Sequence, residues 1–134
     1  MSPIPTPIIV ATHGDLGCAL LRVTVAITGS RENLTCVSLA AGDDIDSFRQ
    51  SLVDCIPAGS PALILVDLAG GTPWNVASSI AASTPNVYVI SGVNLPMLLE
   101  LSLSTSGISV AEMAQLARQT GIDSIQARSG KPAS

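Results

Sequence analysis

Residues 8–17, IIVATHGDLG, place an apolar run directly before a glycine turn and the first apolar position of a helical pattern. The run 8–12 is short, does not alternate with polar residues and is rich in Ile and Val, which is typical of a strand buried on both faces. His13, the single histidine of the chain, follows it at once. This stretch therefore predicts a strand, a tight connection and a helix, with an imidazole where the strand ends.

Three further runs have the same character, and segments with helical spacing separate them. Besides 8–12, the predicted strands are 34–40 (LTCVSLA), 61–68 (PALILVDL) and 86–91 (NVYVIS). Alternating strands and helices predict right-handed crossovers and a doubly wound α/β fold. We expect a mainly parallel sheet in the order 2-1-3-4, flanked by helices.

Apolar spacing predicts the first two helices, and turn residues predict the starts of the next two. The first two apolar stripes consist of Leu16, Leu20, Val23 and Ile27 before Gly29, and of Ile45, Phe48, Leu52 and Ile56 before Pro57. A third helix is predicted to begin at Thr72-Pro73, with Thr72 as its cap and Pro73 in the first helical position. A fourth is predicted to begin around Leu95-Pro96.

A capping-box pattern marks the last predicted helix. Ser109 and Glu112 have the spacing of that pattern, so a helix is expected over 110–120, and Gly121 is expected to close it. The segment 123–127 (DSIQA) predicts a short fifth strand.

Length and composition predict one domain, 1–134, with a core over about 6–127 and a flexible tail at 128–134. Six basic against ten acidic residues give a formal charge of −4 without a Lys/Arg cluster, which argues against nucleic-acid binding. Pro, Gly or charge interrupts every apolar stretch well before the roughly 18 residues of a membrane-spanning helix. The start, MSPIPTP, lacks the features of a signal peptide. We therefore expect a cytoplasmic protein without membrane insertion.

The cysteines are odd in number, scattered and embedded in apolar patterns; they are Cys18, Cys36 and Cys55. Free thiols in a reducing compartment are therefore expected rather than a disulfide framework. No CxxC motif or His/Cys cluster suggests zinc, so we expect neither a metal nor another cofactor. The acidic residues Asp15, Asp43, Asp44 and Asp46 are interpreted as helix N-terminal charges rather than metal ligands.

On this scaffold His13 lies just beyond the first strand and Asp67 lies at the carboxyl end of the third. In the order 2-1-3-4 these strands are neighbours, and ligand sites of such sheets lie where the strand order reverses. We therefore expect the two side chains to lie close together. Gly70-Gly71 and Thr72 follow Asp67, and the helix that starts there offers unsatisfied N–H groups and a positive dipole end to an anion. Gly71 and Thr72 are thus the candidate phosphate-binding residues.

These parts suit phosphoryl transfer. A carboxylate bonded to the protonated nitrogen of a neutral imidazole leaves the opposite nitrogen free as a nucleophile. The carboxylate also stabilises the positive ring that forms when this nitrogen attacks. Phosphoryl transfer needs mainly alignment and charge stabilisation, which His13, Asp67 and the helix start can supply. Because the glycine turn lacks the lysine of a Walker loop, ATP is not expected as the direct donor.

Three motifs occur in a fixed order: ATHGDLG at the first strand, LVDLAGGTPWN at the third and SGVNLPMLLE after the fourth. Through them the chain resembles, over about residues 6–127, the IIA component of the mannose-family (mannose/fructose/sorbose) phosphoenolpyruvate-dependent sugar phosphotransferase system. In that family the histidine of the first motif accepts a phosphoryl group from the carrier protein HPr and passes it to a IIB protein or domain.

The resemblance implies that His13 is the phosphorylated residue and that Asp67 orients it. Thr72 stands where the family commonly has Ser, which keeps a hydroxyl near the phosphate, and Trp74 stands where it often has Phe. The resemblance also implies a homodimer in which the last strand, here about 123–127, pairs with the partner's sheet. Members with IIA fused to IIB are much longer, so the IIB component is expected to be a separate protein.

Plainer interpretations of the same residues stay open. His13 could be structural or solvated, Asp67 could cap the turn after its strand, and Thr72 could serve only as a helix cap. We expect Cys18 to pack as a small apolar group rather than to pair with His13 as a nucleophile. A turn and a helix start explain Asn94, Pro96 and Met97 as well as a place beside the histidine does.

Two other functions also stay open. One is a phosphocarrier for a dihydroxyacetone kinase, whose donor subunit has a similar fold. The other is a regulatory module whose phosphorylation alters docking to a transcription factor or an enzyme, with no onward transfer.

Overall fold

Strands and helices alternate along residues 5–132, the part of the chain that the computed structural model describes. The strands are β1 (Ile8–His13), β2 (Leu34–Leu39), β3 (Ala62–Val66) and β4 (Val87–Ile90). The helices are α1 (Leu16–Thr28), α2 (Ile45–Asp54), α3 (Thr72–Ser83), α4 (Leu95–Ser104) and α5 (Val110–Asp123). Over this range no helix combines the length and the apolar character that crossing a membrane requires.

The strands form one parallel sheet in the order β2-β1-β3-β4, which confirms the predicted doubly wound α/β fold. In the centre, β1 pairs with β3, and Ala11 lies opposite Val66. On its other side β1 pairs with β2, and His13 lies opposite Leu39. The carboxyl ends of β1 and β3 therefore meet at the middle of one sheet edge, where the strand order reverses.

Helices cover both faces of the sheet, which explains why its strands show so little alternation. Successive side chains of a strand point to opposite faces. Ile8 and Val10 therefore pack with α1, α4 and α5, whereas Ile9 and Ala11 pack with α2 and α3. Each fully buried Ile or Val side chain among these stabilises the fold by about 1.5–3 kcal/mol relative to an exposed one.

The apolar stripe of α1 does not mark its buried face. Leu16, Val23 and Ile27 are 49%, 45% and 60% exposed, while the buried residues of the helix are Gly17, Leu21 and Thr24. Because Arg22 is the only charged residue in α1, its sequence has no polar face that would identify the buried one. Gly17 faces the sheet instead, where a Cβ would lie 3.0 Å from Val10 Cγ1, closer than an ordinary contact, so glycine favours the close approach of α1 to β1.

The C-terminal part departs from the prediction at two points. Gly121 does not close α5, which continues to Asp123; it is buried within the helix, where a Cβ would lie 2.8 Å from Met97 Cε. The segment predicted as a fifth strand, 123–127, starts inside α5 and forms no strand in the described chain. Residues 128–132 of the predicted tail are exposed and lack regular structure. Residues 1–4 and 133–134 lie outside the described residues.

The expectation that all cysteines are free thiols is wrong. Cys18 in α1 and Cys36 in β2 form a disulfide, with their Cα atoms 5.3 Å apart, and Cys55 is free. The bonded residues are 18 positions apart in the chain. Their proximity follows from the packing of α1 beside the edge strand β2, which the spacing of cysteines in the sequence does not reveal.

Candidate functional site

His13 and Asp67 form a hydrogen-bonded pair at the carboxyl edge of the sheet. His13 is the last residue of β1, and Asp67 follows the last residue of β3. Asp67 Oδ2 accepts hydrogen bonds from the His13 backbone N–H at 3.0 Å and from His13 Nδ1 at 2.8 Å. The other carboxylate oxygen accepts from the Leu68 backbone N–H at 3.1 Å. The structure thus brings together the two residues that the strand ends predict, and the backbone bond fixes the carboxylate relative to β1.

The pairing decides which nitrogen of His13 is free. A carboxylate has no proton to donate, so in the neutral ring Nδ1 carries the proton and Nε2 keeps its lone pair. The side chain of His13 is 47% exposed, whereas that of Asp67 is 11% exposed. The imidazole therefore presents a nucleophilic nitrogen to solvent, while its partner stays mostly covered.

The contacts with His13 lower the pKa of the Asp67 carboxyl. Burial raises the pKa of the Asp67 carboxyl, but hydrogen bonds from the His13 side chain and backbone, a further backbone hydrogen bond at Asp67 and the electrostatic attraction of His13 together outweigh this effect, so the pKa lies below its ordinary value. The carboxylate is therefore ionised at neutral pH, where it can stabilise a positively charged His13 ring.

The start of α3 lies against the histidine ring. A Cβ on Gly71 would lie 2.8 Å from His13 Cε1 and 3.5 Å from Nε2, so a residue larger than glycine would have to displace the ring from this position. Gly71 is also the N-cap residue, and no side chain in the described part of the molecule caps α3. An uncapped helix start combines free N–H groups with the positive end of the helix dipole, which favours anions. The open nitrogen of His13 thus lies beside a place suited to phosphate oxygens.

Thr72 does not cap α3, contrary to the prediction. It is the first helical residue, and Pro73 follows it in the first turn. Because proline has no N–H, the donors that this turn offers are those of Thr72 and Trp74. Thr72 is partly buried, and its position keeps it a candidate for contact with a bound anion.

The connection from β1 to α1 is held by Thr12, a residue that the sequence analysis did not single out. Thr12 is fully buried, and its Oγ1 accepts a hydrogen bond from the Gly17 backbone N–H at 2.7 Å. Gly14 has φ +56° and donates its N–H to Leu39 O at 2.8 Å. The threonine directly before the histidine was the available signal in the sequence, but within an apolar strand it is easily taken for a core residue.

The remaining candidates have structural places. Asn94 caps α4, accepting from Met97 N–H at 3.0 Å, and Met97 is buried. Asp15 is the N-cap of α1, but its carboxylate pairs with Arg22 at 3.1 Å instead of capping the helix. Asp44 caps α2 through Ser47 N–H, as expected of a helix N-terminal charge.

Cys18 is bonded to Cys36 in this structure, so it is not a thiol nucleophile for His13. Within residues 5–132 no group of three His, Cys, Asp or Glu side chains is arranged to hold a metal ion.

Comparison with known proteins relates this geometry to one family. Residues 7–117 match the family described as PTS system fructose IIA component. The PTS fructose-specific EIIA component of Bacillus subtilis (strain 168) is 39% identical over 98 residues, which cover 70% of this chain and 66% of that protein. The PTS mannose-specific EIIAB component of Escherichia coli (strain K12) is 32% identical over 130 residues, which cover 93% of this chain and 40% of that protein. The match thus spans less than two thirds of each relative.

A solved structure supports the same relation. The mannose/sorbose-specific IIA subunit from Enterococcus faecalis superposes with a TM-score of 0.86 at 29% sequence identity. The superposition covers 100% of both chains, so the sheet, the flanking helices and their order have counterparts in that structure.

Proposed function

Since the chain belongs to the family of PTS system fructose IIA components, as its three motifs predict, we propose that it carries phosphoryl groups in a sugar phosphotransferase system. His13 accepts the group from phosphorylated HPr and passes it to a IIB component during sugar uptake. The observation that carries this proposal is the exposed imidazole whose Nδ1 is held by Asp67 and whose Nε2 faces the start of α3.

The transfer exchanges one nitrogen–phosphorus bond for another. The lone pair on His13 Nε2 attacks the phosphorus of the donor phosphohistidine, and the electron pair of the breaking bond returns to the donor nitrogen. No proton has to leave Nε2, because the ring proton stays on Nδ1, which donates it in a hydrogen bond to Asp67 throughout. The enzyme activity is thus that of a phosphotransferase with a phosphohistidine intermediate.

Two features stabilise this step. The Asp67 carboxylate compensates the positive charge that His13 acquires as its nitrogen bonds to phosphorus. The uncapped start of α3, with Gly71 against the ring and the N–H groups of Thr72 and Trp74, stabilises the transferring oxygens. Transfer to the IIB component uses the same contacts in the reverse direction.

A test of the carrier function uses phosphoenolpyruvate, enzyme I and HPr as the donor chain. Acid-labile phosphate is expected on the wild-type protein and not on His13→Ala. Adding a IIB component should discharge it, which separates a carrier from a module that only senses phosphorylation. Absence of label on the wild type, or undiminished label on His13→Ala, would contradict the proposal.

The assembly we propose is a cytoplasmic homodimer without membrane insertion. Two observations support it: β4 is an edge strand with one neighbour in the described residues, and Ile125, just past α5, is 78% exposed. Segment 125–127 of one protomer then adds to the sheet of the other. A chain ending at Ser124 should be monomeric by light scattering while the full chain is dimeric. A truncated chain that still dimerises would show that another surface joins the protomers.

A further inference from the structure

The disulfide lies beside the connection that carries the phosphoryl-accepting histidine. Cys18 belongs to the first turn of α1, and Cys36 lies in β2. Both residues are partly exposed, and Cys18 Sγ lies 3.5 Å from Ser38 Oγ at the surface of β2. Small thiols and disulfides can therefore reach this bond from solvent.

The bond closes one side of the histidine loop, defined here as residues 13–17. His13 lies opposite Leu39 in β2, and Gly14 N–H donates to Leu39 O at 2.8 Å. The loop is therefore attached to β2 by a hydrogen bond near its start and, through Cys18, by a covalent bond immediately after its end.

Reduction would leave the loop with fewer attachments. Its remaining hydrogen bonds include those of the His13 N–H and Nδ1 to Asp67, of the Gly14 N–H to Leu39 O and of the Gly17 N–H to Thr12 Oγ1, and of these only the Gly14 bond reaches β2. Because β2 is an edge strand, it has a neighbour on one side only. The disulfide therefore contributes more to the position of β2 relative to α1 than it would contribute for a central strand, which has a neighbour on each side.

The compartment in which the protein works, which rests on the proposed function, determines whether this bond is permanent or reversible. A carrier that exchanges phosphoryl groups with HPr and a IIB component works in a compartment that keeps thiols reduced. Disulfides found in such a compartment are usually transient, serving catalysis or redox sensing. We infer that Cys18 and Cys36 form a reversible redox pair, which sets how firmly the histidine loop holds His13 for phosphoryl transfer.

The chemistry is thiol–disulfide exchange with a low-molecular-weight disulfide such as glutathione disulfide. One protein thiolate attacks the glutathione disulfide, forms a mixed disulfide and releases one glutathione. The second protein thiolate attacks the mixed disulfide, forms the Cys18–Cys36 bond and releases the second glutathione. Two electrons pass from the protein sulfurs to the glutathione sulfurs, and the two thiol protons are taken up by the released thiolates. Excess glutathione reverses both steps.

The oxidised form is the one with the assembled site. In it, His13 Nδ1 donates to Asp67 at 2.8 Å and Gly71 lies against the ring. Reduction removes the covalent link between α1 and β2 and leaves the histidine loop less constrained, so the reduced protein should take up the phosphoryl group several-fold more slowly.

The test compares the full chain in its two redox states. The protein is equilibrated in glutathione buffers of graded ratio, and the bonded fraction is counted by the mass shift on alkylation. Amide hydrogen exchange of peptides covering 13–18 and the initial rate of phosphorylation by HPr are then measured in each state. We expect faster exchange in these peptides and slower phosphorylation on reduction.

Matched variants identify the cysteines responsible. Cys18→Ala with Cys36→Ala should remove the redox response, while Cys55→Ala should keep it, because Cys55 is the free thiol. Failure of the bond to form in excess glutathione disulfide, or equal exchange and equal rates in the two states, would overturn the inference. Amide hydrogen exchange that differs between the two redox states, without phosphorylation in either state, would refute the carrier function and support redox control of the loop.

Discussion

The β1–α1 and β3–α3 connections meet at the same sheet edge but differ in how their backbone N–H groups are satisfied. In the first, Gly17 N–H donates to Thr12 Oγ1 at 2.7 Å and Gly14 N–H donates to Leu39 O at 2.8 Å. In the second, Gly71 N lies 3.5 Å from Leu68 O, and no side chain in the described residues caps the helix that follows.

The two connections therefore have different tasks. A connection whose donors are bonded within the protein holds its residues in one place, and this is the one that carries His13. The other connection leaves the N–H groups of Thr72 and Trp74, at the start of α3, without a partner in the described residues, and this helix start faces His13 Nε2. For the proposed transfer, this arrangement holds the His13 ring in place beside open N–H donors for the phosphoryl oxygens.

Substitution of the carboxylate that links the two connections should have the largest effect. Asp67→Asn removes the negative charge that supports the His13 cation and replaces one acceptor oxygen by an NH2 donor, so the tautomer of His13 is no longer fixed and phosphorylation should slow by about 100-fold or more. The measurement is the initial rate with phosphorylated HPr. The circular dichroism spectrum serves as the control for folding, and an unchanged rate would remove Asp67 from the mechanism.

A pair of threonine substitutions compares the connections directly. Thr12→Val leaves the Gly17 N–H buried without an acceptor and should lower the free energy of unfolding by about 1–3 kcal/mol. Thr72→Val removes no capping bond, so its effect on stability should stay within about 0.5 kcal/mol.

The phosphorylation rate gives a second comparison of the two variants. Thr72→Val should slow phosphorylation without a matching loss of stability, because the family resemblance implies that the Thr72 hydroxyl lies near the phosphate. Urea unfolding and the initial phosphorylation rate measure the two effects. Equal losses of stability in both variants would show that the connections are not built differently.

The smallest effect concerns pH. His13 holds the pKa of Asp67 below its ordinary value of 3.8, so the stabilisation that depends on the ionised carboxylate is fully present above that pH. It is lost as the pH falls through the lower value of the folded state. The difference in free energy of unfolding between wild type and Asp67→Asn should therefore be constant near neutral pH and shrink in acid. A difference that does not change with pH would contradict this assignment.

The residues of the site were predictable to different degrees. His13 and Asp67 follow apolar strands, and parallel strands bring their carboxyl ends to one edge, so their proximity follows once the strand order is assumed. Thr12 was not predicted because its hydroxyl acts inside a strand, and the apolar pattern of a strand predicts burial but not the hydrogen bonds of a polar side chain. The place of Gly71 against the ring depends on the tertiary approach of α3 to β1, for which the glycine pair was only a hint.

Strands, helix starts and the alternating α/β order follow from the residues alone, because periodicity, capping boxes and turn residues act between near neighbours in the chain. The buried face of α1, the packing role of Gly121 and the Cys18–Cys36 bond are settled only in the folded molecule. Each depends on contacts between segments far apart in the chain, and no local pattern encodes which of several apolar faces, glycines or cysteines will meet.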